Sequence, residues 1–548
     1  MLNGLVKATS FAGLTQSQAL RRKFLGSNFV RQDLNIRILD NQYAPPIQAP
    51  TRNEVVVVVD AITTGACVAE DAQLRGYRIA HVTSMAPSPE LANMVPGHLK
   101  GGALKWLCVI GIDEENEGSM HDAADDITMR LQLALVAAGI DAGLGAVVAV
   151  VPGAETGVKL SDHVQESVIR AHEGVLAGPS PVRTNGSSGS EARREKYEMG
   201  ETVRSAGVRA VKQFRAIGAD AAREPVQAFL EAHWGKREDG ADDSAADQTP
   251  VGFLAVVKPL ESAGSDGVTK CSSFEEVHRA VKKLVGGRNA LGQRNEGVLV
   301  QEYLRGTEYV VDSATSNGVH KTTAVWRYDR RAINGAGFVC CGQAILGPED
   351  PEVPILIDYA ARVLDALAFA HGPSHMEVKL LPPPGGPDDI TDVQLLTPCL
   401  VEVGARCHGA EGFWMSVCDE GYAPHPNQER LSLDAYVNTP AFDRACFPGP
   451  PPRVASGKIK YLIIDTAGAL RNEGGPCHAE ALEEIMSLAS YRAHEIFVIP
   501  GAIVGPTIDC FSWGGCVKLC NADDAVCDAD YARVEELCHN GLWAWYES

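Results

Sequence analysis

An apolar run that ends in a lysine, followed by a loop of small residues, is the first arrangement in this sequence that could bind phosphate. The lysine is Lys258, and the loop contains Gly264, Ser265 and Gly267. Small residues allow backbone N–H groups to approach phosphate oxygens closely, and lysine supplies a compact positive charge. The loop lacks the Gly-Lys-Ser/Thr sequence of a P-loop. An ordinary hairpin with a flexible turn is the alternative interpretation.

A second apolar run ends in a short segment that could contact a nucleotide base. The segment consists of Gln301, Glu302, Tyr303 and Leu304, and a glycine turn separates it from Glu308. Backbone donors and acceptors can pair with adenine, and the carboxylate of Glu308 can accept hydrogen bonds from ribose hydroxyls. The alternative is a hairpin that carries two solvated glutamates.

Two further runs each place a carboxylate inside an apolar strand. Glu377 lies in the run 375–380, and Glu402 lies in the run 399–403. Buried carboxylates are costly, and two on neighbouring strands would repel each other unless a cation lay between them. Such oxygen ligands suit Mg²⁺ bound together with substrate phosphates. Arg406 follows the second acid and could stabilise transferred charge. The alternative is that the acids face solvent on an edge strand.

In this order, the segments resemble the ATP-grasp superfamily. The resemblance is greatest to the amino-acid ligase branch, which includes bacterial dipeptide ligases and carnosine synthase. It extends over residues 50–545 and is strongest from Glu195 to Trp414. The family fold would make residues 50–185 an N-terminal domain that precedes a two-lobed nucleotide grasp.

The resemblance also implies a role for each candidate residue. It places Lys196, which would otherwise read as a solvated helix charge, at the first ATP-binding lysine of the family. It implies that Glu377 and Glu402 are metal ligands and that Arg406 steadies the acyl-phosphate and the tetrahedral intermediate. The implied nucleotide contacts are Lys196, Lys258, Gly264, Ser265, Gly267, Gln301, Glu302, Tyr303, Leu304 and Glu308.

At one position the sequence departs from the family pattern. Relatives often read Glu-x-Asn-x-Arg in the last block, where the asparagine is a further metal ligand, but the corresponding residue here is Gly404. Glycine has no side-chain oxygen. The metal site would then depend on Glu377, Glu402, water and phosphate, or on a neighbour outside the motif.

Two segments, residues 326–331 and 407–412, lie where relatives shape the substrate site. Arginines of the first segment could hold a substrate carboxylate through paired hydrogen bonds. His408 of the second could orient an incoming amine or take its proton. The alternative is a set of surface arginines and a structural histidine.

The function implied by these segments is ATP-dependent ligation of a carboxylate to an amine through an acyl-phosphate, with an amino acid as one substrate. The expected cofactors are ATP and Mg²⁺, with Mn²⁺ as the alternative metal. Two rivals remain open. One is another ATP-grasp chemistry, such as carboxylation or a purine-pathway ligation, and the other is a degenerate module that binds nucleotide for regulation.

The elements that must position these residues differ along the chain. Unbroken β-branched runs such as 54–60 alternate with helical spacing and predict a buried parallel sheet, whereas strands joined by turns predominate after residue 251. We therefore expect an α/β and α+β protein with an N-terminal open, Rossmann-like domain and a small C-terminal α/β domain, and the resemblance implies that the fold is an ATP-grasp fold. Residues 191–216 are expected to be helical. The predicted units are an N-terminal tail 1–49, an N-terminal domain 50–185, a small lobe 190–305, a large lobe 306–447 and a C-terminal subdomain 455–548.

The composition excludes several classes of partner. The formal net charge of -21 disfavours non-specific binding to nucleic acid or to anionic membranes. We expect small-molecule partners, and a homodimer stays open.

The cysteines and the N-terminus bear on location. The 15 cysteines include no Cys-x-x-Cys pair, so reduced thiols are favoured over a zinc site among the cysteines of 510–538. The first 32 residues contain no acid, which is typical of a transit segment or of a tail. We expect a cytoplasmic protein, with targeting to an organelle as the alternative.

Overall fold

The computed structural model describes most of the chain from residue 51 to residue 546. The N-terminal tail 1–49 and the centre of the polar insert 233–250 lie outside the described residues. The gaps within the described part are 86–94, 100, 113–118, 176–178, 236–248, 251, 263, 290–293, 384–385, 387–389, 391, 410–412 and 446–448.

The chain begins with a four-stranded parallel sheet in the order β3-β2-β1-β4. All five valines of β1 are fully buried because helices cover both faces of the sheet. The unbroken apolar runs therefore form the parallel sheet that the sequence predicts. Its elements are β1 (Val55–Val59), α1 (Thr64–Leu74), β2 (Arg78–Thr83), β3 (Trp106–Gly111), α2 (Met120–Ala137), β4 (Val147–Pro152) and α3 (Val158–Val175).

A second, antiparallel sheet follows in the order β5-β8-β6-β7. Two helices, α5 and α6, pack on it and close its core. Its elements, with the preceding helix α4, are α4 (Lys196–Ser205), β5 (Gln213–Ile217), α5 (Arg223–Trp234), β6 (Ala255–Pro259), β7 (Thr269–Cys271), α6 (Phe274–Leu284) and β8 (Gly297–Glu302).

The helix expected over 191–216 is wrong in its second half. Helix α4 ends before Gly207, which has a φ of 76°, and residues 213–217 then pair with β8. Within β5, Phe214 and Ala216 face the core while their neighbours point away. This alternation is the period of a strand, and pairing with β8 outweighs the local helical spacing.

The third sheet has eight antiparallel strands in the order β13-β12-β9-β10-β11-β14-β18-β16. Its N-terminal members and their helices are β9 (Thr307–Ser316), β10 (Val319–Ile333), β11 (Ala336–Leu346), α7 (Val353–Ala366), β12 (His371–Leu381), β13 (Thr397–Gly404), α8 (Phe413–Gly421), α9 (Gln428–Val437) and α10 (Thr439–Arg444). Its later members and their helices are β14 (Ser456–Leu462), α11 (Ala479–Ser487), β16 (Tyr491–Ile496), β18 (Gly515–Asn521) and α12 (Asp524–His539). Strands β15 (Gly468–Ala469) and β17 (Ile503–Val504) pair with each other in a separate two-stranded sheet.

The C-terminal residues that the sequence suggests as a separate subdomain continue this large sheet. Strand β14 pairs with β11, where Gly342 lies opposite Lys460, and β18 and β16 follow. Helix α9 joins the large sheet to the N-terminal sheet, because Leu433 and Tyr436 pack in the core beneath β1 and α1. The N-terminal sheet and the large sheet are therefore packed together through α9.

Two general properties follow from the described residues. None of their helices combines the length and the apolar character needed to cross a bilayer. Their cysteines are free thiols, and no three of them lie close enough together to hold a metal ion, so the zinc site considered at 510–538 is not formed there.

Candidate active site

One cavity lies between the small antiparallel sheet and the large sheet, and most of the candidate residues line it. Of the predicted nucleotide and metal residues, all but Gly267 contribute to its wall. Arg406 and His408 are not part of the lining. The predicted residues in the wall are Lys196, Lys258, Gly264, Ser265, Gln301, Glu302, Tyr303, Leu304, Glu308, Glu377 and Glu402.

The two candidate phosphate-binding lysines are both buried at this cavity. Lys196 opens helix α4, which Glu195 caps by accepting the backbone N–H of Glu198. Its Nζ lies 3.1 Å from Oε2 of Glu402 and donates to the carbonyl of Ser262 at 2.9 Å. Burial lowers the pKa of Lys258 to about 8, although the negative charge of Glu402 opposes this shift.

The small-residue loop depends on left-handed backbone conformations. Gly264, Ser265 and Gly267 have φ values of 66°, 64° and 72°. A Cβ at Gly264 would collide with Sγ of Cys510, so the loop packs directly on the C-terminal part of the chain. Gly267 packs on Pro259 and shapes the loop without lining the cavity.

The opposite end of the cavity is an aromatic and aliphatic slot. Tyr303 and Phe338 have ring centroids 6.2 Å apart, and Nζ of Lys270 lies 4.4 Å from the Tyr303 ring centroid. The Glu302 carboxylate is engaged in the wall by Arg209 at 2.7 Å. An apolar slot with one polar edge suits a purine base.

The two carboxylates predicted to bind metal lie directly opposite each other on neighbouring strands. Glu377 of β12 pairs in register with Glu402 of β13, so both side chains share one face of the sheet. Burial favours the neutral acid, but Lys196, Lys258 and Arg406 lower the pKa of Glu402 to about 2. Two carboxylates that face each other fit a hard divalent cation such as Mg²⁺.

Arg330 of the first candidate substrate segment reaches the cavity wall. Its Nε donates to Glu308 at 2.8 Å and its Nη1 donates to Ser265 at 3.1 Å, while Nη2 lies 3.6 Å from Glu377. Burial opposes ionisation of Glu308, yet Arg330 and Lys379 lower its pKa. This arginine therefore lines the same cavity as the candidate nucleotide and metal residues.

Arg406 lies next to the cavity and is held by the N-terminal sheet. Its Nε lies 2.7 Å from Oε2 of Glu155, and its Nη1 donates to the carbonyl of Cys407 at 3.1 Å. Glu155 follows the carboxyl end of β4 in a Gly-rich turn. The position of Glu155 in the sequence could have marked it as a candidate, because ligands of open α/β sheets bind beside the carboxyl ends of the strands. Residues 410–412 of the second candidate substrate segment lie outside the described residues.

His408 is buried in a polar cluster centred on Asp312. Asp312 accepts from Nδ1 of His408 at 2.7 Å, from Nδ1 of His375 at 2.9 Å and from Nε1 of Trp326 at 2.9 Å. Because the ionised carboxylate of Asp312 can only accept hydrogen bonds, the Nδ1 atoms of both histidines must carry a proton. Nε2 of His408 then lies 3.3 Å from the hydroxyl of Tyr328.

The pKa values of the two histidines of this cluster are shifted in opposite directions. Burial lowers the pKa of His408 to about 4. Burial also opposes protonation of His375, but its hydrogen bonds to Asp312 and Glu377 raise the pKa of this histidine. His408 is thus neutral at neutral pH, and its Nε2, beside the Tyr328 hydroxyl, is the ring nitrogen that can accept a proton.

Asp312, His375 and Tyr328 were not singled out as functional residues from the sequence. Asp312 does carry the signal that identified Glu377, a carboxylate within an apolar strand, here β9. Asp312, His375 and His408 place ligand atoms within 4.8 Å of one another, a geometry that could also hold a metal ion. The distances of 2.7 and 2.9 Å from Asp312 to His408 and His375 are those of ordinary hydrogen bonds, which account for the cluster without a metal ion.

Comparison with known proteins identifies the fold. Residues 251–382 match the ATP-grasp domain family. The L-amino acid ligase from Bacillus licheniformis superposes with a TM-score of 0.60 at 14% sequence identity, over 91% of this chain and 100% of that structure. The chain has the ATP-grasp fold and carries an ATP-grasp domain.

Two further relatives extend this comparison. The dapdiamide A synthase of Enterobacter agglomerans is 29% identical over 230 residues, which are 42% of this chain and 46% of that protein. The match therefore spans about half of the length of this curated relative. The carboxyaminoimidazole ribonucleotide synthase from Aspergillus clavatus, complexed with ATP, has a TM-score of 0.53 at 13% identity and covers 89% of this chain and 99% of that structure.

Proposed function

We propose that this protein is an ATP-dependent carboxylate–amine ligase that forms an amide bond through an acyl-phosphate. The observation that carries the proposal is one cavity in which Glu377 and Glu402 face each other beside Lys196 and Lys258. Facing acids next to two lysines suit a polyphosphate bound with a divalent metal. The names of the amino acid ligase and of the dapdiamide synthase support an amino acid as one substrate.

In the first step, a substrate carboxylate oxygen attacks the γ-phosphorus of ATP and ADP leaves. Lys196 and Lys258 neutralise the phosphate oxygens as charge moves towards the leaving group. Glu377 and Glu402 would hold Mg²⁺, or Mn²⁺ in its place, which would supply Lewis-acid stabilisation of the phosphates. The Tyr303–Phe338 slot would hold the adenine, and Glu308 would contact the ribose.

In the second step, an amine attacks the acyl carbon and phosphate leaves through a tetrahedral intermediate. Arg406 stabilises the oxyanion and the departing phosphate. Neutral His408 accepts the proton of the attacking amine at Nε2, and Asp312 holds the tautomer that makes this atom available. Tyr328 lies beside the same atom and can orient the amine.

The proposal also includes the setting of the reaction. Small-molecule acids and amines are the expected partners, because the formal charge of -21 opposes binding to polyanions. The free thiols of the described cysteines support a reducing compartment such as the cytosol.

The test is a phosphate-release screen of the purified protein over pairs of amino acids and small carboxylic acids. We expect ADP and phosphate in equal amounts with an amide product, identified by its mass. AMP and pyrophosphate would contradict the acyl-phosphate route. Nucleotide binding without turnover on any pair would favour the regulatory module, and incorporation of labelled bicarbonate would favour a carboxylase.

A further inference from the structure

We propose that Glu155, supplied by the N-terminal sheet, positions Arg406 for catalysis, and that residue 404 is glycine because this carboxylate occupies the space of a side chain there. The inference rests on the proposed function for what Arg406 does. The contact itself does not depend on that function and can be tested separately.

Glu155 reaches Arg406 from a part of the chain far away in sequence. It begins the short turn after β4, and its Oε2 lies 2.7 Å from Nε of Arg406. Both side chains are more than four-fifths buried, with exposed fractions of 17% for Glu155 and 13% for Arg406. An ion pair shielded from water at this distance fixes a guanidinium far better than an exposed pair does.

The position of the contact on the guanidinium determines what remains available. Glu155 takes Nε, and the carbonyl of Cys407 takes Nη1 at 3.1 Å. One ion pair and one hydrogen bond therefore restrain the guanidinium at Nε and Nη1, and among the contacts of the described residues Nη2 is left to meet a substrate oxygen. Orientation of this kind lowers the cost of ordering the arginine at the moment of reaction.

Gly404 is the residue that makes room for this contact. A Cβ at Gly404 would lie 2.7 Å from Oε2 of Glu155, closer than real Cβ atoms approach any neighbour, and 3.2 Å from Cζ of Arg406. The second contact could be relieved by a small shift, but the first could not be relieved without moving Glu155. A side chain at position 404 and the Glu155 carboxylate would thus compete for the same space.

The surrounding charges keep Glu155 ionised. Burial opposes its ionisation, but Arg406 and then Arg194 lower the pKa of Glu155. Nη1 of Arg194 lies 3.7 Å from Oε1 of Glu155, on the oxygen that Arg406 does not use. Glu155 therefore keeps its charge beside the acid Glu402, and it brings to the site a carboxylate from outside the strand motif.

A double-mutant cycle on thermal stability tests the contact without any assay of turnover. The variants are Gly404→Ala, Glu155→Ala and the pair. We expect Gly404→Ala to lower Tm in the wild-type background and to lower it far less when Glu155 is alanine, because the colliding oxygen is then gone. An equal loss of Tm in both backgrounds would overturn the shared-space proposal.

Kinetics test the positioning role. We expect Glu155→Ala to lower kcat about 10- to 100-fold with little change in KM for ATP. Glu166→Ala is the matched control, because Glu166 is an acid of the same sheet domain that binds Ser187 at 2.7 Å and does not touch Arg406. A Glu155→Ala enzyme with normal kcat would overturn the role even if the stability cycle showed coupling. A wild-type protein without ligase activity would refute the proposed function and leave the stability cycle interpretable.

Discussion

At the scale of single residues, the site is organised by acids that act through other side chains. Asp312 holds His408 by Nδ1, so that Nε2 faces Tyr328. Glu155 holds Arg406 by Nε. In each case the group expected to meet the substrate is oriented by a carboxylate from a different strand or sheet, and removing the carboxylate should affect one chemical step more than ligand binding.

The first prediction concerns Asp312→Asn. The amide can donate to Nδ1 of His408 and so favour the tautomer whose Nε2 carries the proton, which cannot accept one from the amine. We expect amide formation to slow roughly 100-fold or more, the usual contribution of a general base. Formation of the acyl-phosphate, trapped with hydroxylamine, should persist.

The control for this variant is Asp329→Asn, an acid of β10 that accepts from Arg331 and Tyr531 away from the histidines. Melting temperatures of both variants separate loss of fold from loss of chemistry. Equal loss of acyl-phosphate and amide in Asp312→Asn would mean that the cluster serves the fold or the first step.

The second prediction concerns pH. Burial lowers the pKa of Lys258 to about 8, so the free protein loses this positive charge as the pH rises through that value. ATP binds the protonated form better and raises the pKa, so affinity should be constant below pH 8 and weaken by up to about tenfold for each pH unit above it. Calorimetry in buffers of different ionisation enthalpy should show proton uptake on ATP binding near pH 8. Lys258→Arg should remove the dependence, because a guanidinium stays charged. A wild-type Kd that is flat from pH 7 to pH 9.5 would contradict the assignment.

At the scale of elements, the glycine loop is a junction between the small sheet and the C-terminal part of the chain. Gly264 packs against Cys510, and Ser265 accepts a hydrogen bond from Arg330 of β10. Asn289 donates to the carbonyl of Glu261 at 2.6 Å and anchors the start of the loop. The loop conformation thus depends on side chains from three different elements.

The third prediction compares Gly264→Ala with Gly252→Ala. Both glycines have left-handed φ values, 66° and 78°, so both variants pay about 1–2 kcal/mol of backbone strain. Among the described residues, the Cβ at 264 meets another atom, whereas none of their atoms lies within 4 Å of the Cβ at 252. We expect the Kd for ATP to rise about tenfold in Gly264→Ala alone, equivalent to about 1.4 kcal/mol. Similar Kd values in the two variants would show that the contact with Cys510 does not shape the loop.

At the scale of the whole molecule, the large sheet and helix α9 bind the parts of the chain into one packed body. Ile459, Lys460 and Tyr461 of β14 are almost completely buried, and Tyr461 stacks on Trp513 with centroids 3.6 Å apart. Strand β14 lies between β11 and β18, so the C-terminal residues continue the sheet without a break from β11 to its edge strand β16. Folding of the grasp therefore requires residues that follow its chemical motifs by many positions.

The fourth prediction is that a chain ending at residue 453 does not fold into a nucleotide-binding protein. Removing β14, β18 and β16 exposes the edge of β11 and one side of the core around Ile345, which favours aggregation. Solubility, the melting curve and the Kd for ATP of this truncated chain are the measurements. Co-expression with residues 454–548 as a separate chain should recover soluble protein. A soluble 1–453 chain that melts cooperatively and binds ATP normally would contradict the prediction.

The sequence by itself determined the elements that carry the local motifs. The β-branched run at 55–59 predicted a buried parallel strand, and the structure confirms it. The sequence identifies Lys258, Glu377 and Glu402 because each lies inside or at the end of an apolar strand, where burying a charge is costly unless it has a partner. These signals are local, since a strand repeats every two residues and the side chain that breaks the pattern is visible in the sequence.

Only the tertiary structure decided which distant groups complete the site. Nothing in the spacing of Glu155 relates it to Arg406, and nothing in that of Asp312 relates it to His408, because those contacts arise where whole elements pack. The strand at 213–217 was missed for the same reason, since its partner β8 lies far along the chain. Gly404 illustrates both sources of information. The sequence shows that this position lacks the side-chain oxygen of a metal ligand. The carboxylate of Glu155 that fills the space comes from another sheet, and only the packing of the two sheets brings it there.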